Sequence, residues 1–157
     1  MDIKQLQETV ETILKRDKCL YPMAFVDTLE VGNYTLDIND GYDNDNNMLQ
    51  FIEKTAQTWK EQKAYRAILV QETIAYIKPK DMSQYEVDQA MELGVLRDVL
   101  PKRSAYNILE LTADKNRSII RFFNKKDDEI IFEEEESHDN VDLAAFTALQ
   151  ESLLPVQ

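Results

Sequence analysis

Glycine, histidine and cysteine are almost missing from this sequence, and each absence removes a class of chemistry. Three glycines in 157 residues, no two of them close together, leave no phosphate-cradling loop and no dinucleotide fingerprint, both of which need glycines where backbone approaches a phosphate. One histidine, His138, and one cysteine, Cys19, do not make a His/Cys zinc site, and without a second histidine no Ser-His-Asp triad is in view beyond His138 itself. A single cysteine forms no internal disulfide, in keeping with a reducing compartment. With no histidine nearby in sequence, Cys19 reads as a small apolar residue near the first strand. No stretch approaches the roughly 20 apolar residues of a membrane helix, and the N-terminal residues Asp2, Lys4, Gln5, Gln7 and Glu8 contain no apolar signal-peptide core. The expectation is a soluble, cytoplasmic protein with no membrane partner and no cofactor.

Positive charge is scarce as well. Thirty Asp and Glu against 18 Lys and Arg give a net charge of −12, which repels nucleic acids and anionic membranes and makes a protein the expected partner. The basic pairs Lys78 and Lys80, Lys102 and Arg103, and Lys125 and Lys126 stand where elements should end and read as solvated termini. What is present suffices for one core: 43% of residues are apolar, and a chain of this length removes about 70% of its unfolded surface from water. A single domain over 1–157 is expected.

Apolar periodicity sets the order of elements. Ile3, Leu6, Val10, Ile13 and Leu14 predict a first helix, with Lys15 and Arg16 favourably placed in its last turn. Met23 to Val31 and Tyr34 to Ile38 read as strands around the Gly32-Asn33 turn. The Asp/Asn-rich run 39–47 reads as a loop into a second helix, marked by Leu49, Ile52, Ala56 and Trp59 and capped by Asp45, Asn46 or Asn47. Ala67 to Ile77 is apolar at successive as well as alternate positions, the pattern of a central strand covered on both faces. Ser83 and Glu86 form a capping box for a third helix ending near Gly94. Arg103 to Thr112, Ser118 to Phe123 and Glu129 to Glu133 predict an antiparallel meander, followed by a helix over Val141 to Leu154. The order α-β-β-α-β-α-β-β-β-α predicts an α+β fold, a mostly antiparallel sheet of five to six strands covered by helices mainly on one face.

This succession, with Tyr21-Pro22-Met23-Ala24-Phe25-Val26 entering the first strand, Ala67-Ile68-Leu69-Val70-Gln71-Glu72-Thr73 in the centre and Pro101-Lys102-Arg103 before the meander, resembles a group of small bacterial α+β proteins. In that group an apolar central strand ends in a Ser-Glu-Ala-Trp-like tetrapeptide, from which Gln71-Glu72-Thr73-Ile74 departs. The resemblance implies an architecture and no activity.

Two features carry candidate chemistry. In a regular strand Glu72 shares a face with Ile68, Val70, Ile74 and Tyr76, so its carboxylate has to be paired, hydrogen-bonded or neutral. It is the candidate catalytic or ligand-binding group; an ion pair with Arg66, Arg103 or Arg121, or a strand end emerging into solvent, is the structural alternative. Asp27, beside Phe25 and Leu29, raises the same question unless an edge strand exposes it. The second feature is Glu133, Glu134, Glu135 and Glu136, a candidate partner-binding surface for a basic protein, or a charged edge that blocks aggregation. The loop 39–47 has oxygens for calcium but fails the EF-hand pattern, since Gly41 at the sixth position puts Leu36 first and Asn47 twelfth; no metal is expected. His138 reads as an exposed loop residue. Three functions follow: a non-enzymatic protein-interaction or regulatory module with an acidic surface, a DNA-mimicking acidic inhibitor of a nucleic-acid-binding protein, and a small-ligand enzyme using Glu72.

Overall fold

The computed structural model of the chain describes residues 2–38, 45–76, 80–95 and 100–155. Its elements run α1 (Ile3–Asp17), β1 (Met23–Thr28), β2 (Asn33–Asp37), α2 (Asp45–Glu61), β3 (Ala64–Tyr76), α3 (Gln84–Glu92), β4 (Lys102–Leu111), β5 (Asn116–Lys126), β6 (Glu129–Asp139), a 3-10 turn (Ala144–Phe146) and α4 (Thr147–Glu151). The six strands form one sheet in the order β2-β1-β3-β4-β5-β6, and every neighbouring pair is antiparallel. The α+β fold and its element order are those the periodicity predicts. No helix among the described residues is long and apolar enough to cross a membrane.

Helices cover both faces of the sheet, not mainly one. α1 starts where the Asp2 carboxylate accepts the Lys4 N–H and stops at Lys18, whose φ of 61° turns the chain out of the helix. It lays Leu6, Val10 and Leu14 on one face, over Ile68, Val70, Tyr106, Ile108, Ile119 and Phe123. The other face belongs to α2 and the C-terminal segment: Ile52 and Trp59 share a core with Ala24, Val26, Ala67, Leu69, Leu109 and Leu111, closed by Leu143, Leu149 and Leu153. The reason lies in β3. Ala67, Ile68, Leu69 and Val70 are all buried, two toward each face, and an apolar pair left bare on either side would forfeit roughly 1.5–3 kcal/mol per large side chain.

Turn chemistry fixes the ends of the strands. The β1–β2 connection closes with Thr28 N–H donating to Gly32 O, and Gly32 takes a φ of 76°. Its tip docks on the α2–β3 turn through Leu29 N–H to Lys63 O and Glu30 N–H to Gln62 O. Lys63 itself adopts a φ of 56°, so β3 begins directly after α2. The β5–β6 hairpin turns on Asp127 and Asp128, both at positive φ, the two-residue geometry whose twist matches the strands it joins. The expected α3 cap is present, with Glu86 N–H donating to Ser83 Oγ. α2 is helical from Asp45, and the residue that precedes it lies outside the described residues.

The C-terminal helix is shorter than Val141 to Leu154. Val141–Leu143 instead lies outside any helix, and the Asn116 side chain fastens its first residue beside the sheet: Asn116 Oδ1 accepts from Val141 N–H at 2.8 Å and Asn116 Nδ2 donates to Val141 O at 3.3 Å.

Candidate functional site

β6 is the outer strand, and it is far longer than Glu129 to Glu133. All four candidate glutamates lie on it, paired to β5 on one side and, among the described residues, without a strand on the other. Between the pairs Arg121–Glu135 and Phe123–Phe132 the register shifts, so Glu133 and Glu134 stand opposite Phe122 alone, a bulge that turns two successive carboxylates the same way. Both reach Arg103 on β4, at 3.1 Å from Glu133 and in contact with Glu134, and the guanidinium lies 4.1 Å above the Phe122 ring. The Arg103 guanidinium holds the Glu134 carboxyl below the usual range. Past the bulge, Glu135 turns toward α1, where Gln7 Nε2 donates to it and Arg121 stands 4.0 Å away, while Glu136 faces the opposite side beside His138 at 3.3 Å. Each glutamate therefore has a partner within the chain yet keeps 40–58% of its side chain exposed. Residues 39–44 of the acidic loop, which the DNA-mimic reading needs on the same face, lie outside the described residues.

Glu72 shares its face with Val70 and Ile74, as alternation requires, and is half-buried. None of the three expected arginines holds it. Its carboxylate accepts the Leu20 N–H at 3.2 Å and faces Lys125 Nζ at 3.4 Å. Each arginine is engaged elsewhere: Arg103 at the bulge, Arg121 between Glu11 and Glu135, and Arg66 with Glu110 and Asp27. Asp27 is not exposed by an edge, because β1 lies between β2 and β3; its carboxylate is largely buried, 3.7 Å from Arg66.

The most enclosed ionisable group among the described residues is Tyr106, for which the sequence alone carries no signal. Its ring is fully buried under α1 and its hydroxyl donates to Glu11, which Arg121 approaches at 3.9 Å. Burial first, then the Glu11 carboxylate, pushes the phenol well above its ordinary value of 10.0. Folded protein thus keeps a proton that unfolded tyrosine releases above pH 10, so the stability tied to this phenol is intact below pH 10 and declines as pH rises further. Tyr106→Phe is expected to cost about 1 kcal/mol at neutral pH for the lost hydrogen bond. It should also flatten the alkaline fall in stability, measured by urea unfolding between pH 8 and about 11. An alkaline limb as steep in the variant as in the parent would contradict this assignment.

A groove of about 400 Å³ opens on the α2 side of the sheet, beneath the Val141–Phe146 strap. The strands bring four polar residues to it. Gln71 and Asn107 are direct cross-strand partners on β3 and β4, and Ser118 and His138 are partners on β5 and β6. Ser118 Oγ donates to Asn107 Oδ1 at 2.9 Å, while the Gln71 amide has no hydrogen-bond partner among the described residues. Leu69, Leu109, Leu143 and Phe146 supply apolar lining. His138 is thus a strand residue at a groove, not part of a loop. Gln71, Asn107 and Ser118 have no signal in the sequence alone, since only strand register brings them together. Among the described residues, no group of three or more His, Cys, Asp or Glu side chains is arranged to hold a metal. Compared with known proteins, the chain matches no protein-family model, no curated protein and no solved structure.

Proposed function

We propose that this chain is a non-enzymatic protein-interaction module that receives an extended, Lys/Arg-rich segment of a partner along β6. One observation carries the reading: an 11-residue outer strand whose main-chain edge is unpaired among the described residues, bearing partly exposed carboxylates toward both faces of the sheet. A bare edge of this length is a template for another strand, and backbone hydrogen bonds would supply much of the affinity. The same carboxylates repel a second copy of a chain with net charge −12 and favour a basic segment, so charge selects the partner and blocks self-association. Glu133 and Glu134 can turn from Arg103 to the incoming cations while the guanidinium stays over the Phe122 ring.

Calorimetric titration with a peptide of about nine residues, alternating lysine with valine or threonine, tests this. Binding should weaken at least tenfold when Glu133, Glu134, Glu135 and Glu136 are all changed to Gln. It should weaken comparably when alternate peptide nitrogens are methylated, and it should fall with added salt. A methylated peptide that binds as well as its parent would rule out strand addition.

A further inference from the structure

We propose that the groove beneath the Val141–Phe146 strap binds an uncharged, planar nitrogen heterocycle of nucleobase size, held by its donor–acceptor edge. Its volume, about 400 Å³, lies within the roughly 300–1,000 Å³ typical of small-molecule sites. Its make-up is also that of such sites: apolar walls from Leu69, Leu109, Leu143 and Phe146, with a few convergent polar groups.

The class of ligand follows from those polar groups. Gln71 and Asn107 put two carboxamides side by side across β3 and β4. A carboxamide offers a donor and an acceptor in one plane, which is how Asn and Gln grip the adjacent amino and ring-nitrogen positions of an adenine-type edge. Ser118 fixes one member of the pair: its hydroxyl occupies one side of Asn107 Oδ1 and leaves Asn107 Nδ2 free to donate. The Gln71 amide is uncommitted among the described residues, and a half-buried amide without a partner gains more from a ligand than one already satisfied. His138, at 54% exposure, adds a ring nitrogen at the mouth.

Charge excludes other ligands. Asp142 lines the groove and Glu136 stands beside His138, so a phosphate or carboxylate would enter against like charge. The Phe146 ring and the leucines favour a flat apolar face over a flexible chain. The site lies on the sheet face and uses no main-chain edge, although His138 at its mouth and the neighbouring Glu136 belong to β6.

Side-chain amide and imidazole NMR during titration with adenosine, cytidine and adenosine monophosphate tests the proposal. Adenosine or cytidine should give saturable shifts at the Gln71 amide and the His138 ring, with Kd on the order of 0.1–1 mM for so small a ligand. Gln71→Leu and Asn107→Leu should each weaken that binding about tenfold or more, while the variants keep the parent's backbone spectrum elsewhere. Addition of the phosphate should weaken binding. The proposal fails if neither nucleoside gives saturable shifts by about 10 mM, if neither leucine variant weakens them, or if the monophosphate binds more tightly than adenosine.

Discussion

Trp59→Ala is expected to lower stability by about 3–5 kcal/mol and the thermal midpoint by on the order of 10 °C. Trp59 is fully buried on the inward side of α2, and it is the largest of the fully buried side chains. It shares its core with Ala24, Ala64 and Ala67, all at 0% exposure, so the strands beneath α2 carry small residues where the helix carries its bulkiest. None of those alanines can expand into the space an indole vacates, and a rigid sheet relaxes only partly around a cavity. Trp59→Phe keeps most of the volume and should recover more than half of the loss. Because Trp59 is the chain's only tryptophan, circular dichroism is the readout common to all three proteins. A cost below about 1.5 kcal/mol for the alanine variant would mean that α2 repacks, against the close fit described.

The second large effect is expected at Arg66. Its guanidinium donates twice to Glu110, from Nε at 2.8 Å and Nη2 at 2.5 Å, and stands 3.7 Å from Asp27. The three side chains are only 16–26% exposed, so this is a largely buried triad on three adjacent strands. Removing the cation strands two carboxylates that have already given up most of their water. Arg66→Leu should therefore cost about 2–3 kcal/mol, less than a fully buried pair because some solvent still reaches it. Neutralising the acids restores balance: Asp27→Asn with Glu110→Gln in the Arg66→Leu background should recover more than half of the deficit in urea unfolding. Equal instability in the single and the triple variant would show that packing of the arginine stem, not charge, is what matters.

Both sites bear on how far the sequence could be read. Trp59 was legible as part of an amphipathic stripe, and β3 was legible because Ala67–Val70 is apolar at successive positions. That same pattern argued for cover on both faces, and an expectation of helices mainly on one face set it aside. Glu72 was conspicuous by alternation, but its partners, Leu20 and Lys125, come from a loop and from β5, and periodicity within one strand carries no information about which neighbour stands beside it. Length failed at β6 for a related reason. Glu133–Glu136 has the composition of a solvated exit, yet strand pairing with Arg117–Arg121 and the Arg103 contacts hold it extended, an instance of tertiary contact overriding local propensity. The groove was the least legible feature, since Gln71, Asn107, Ser118 and His138 share no motif and meet only through the registers of three strand pairs.

The strap that Asn116 fastens has a consequence for the order of events during synthesis. Leu143, Leu149 and Leu153 complete the α2-side core, and they follow all six strands along the chain. α1 and β1–β5 can emerge and pair beforehand, but Leu109, Leu111 and the inner side of α2 stay partly bare until Leu143, Leu149 and Leu153 have left the exit tunnel. The nascent chain therefore passes through a state with an uncovered apolar surface, the kind that chaperones recognise, and closes only when these three leucines dock.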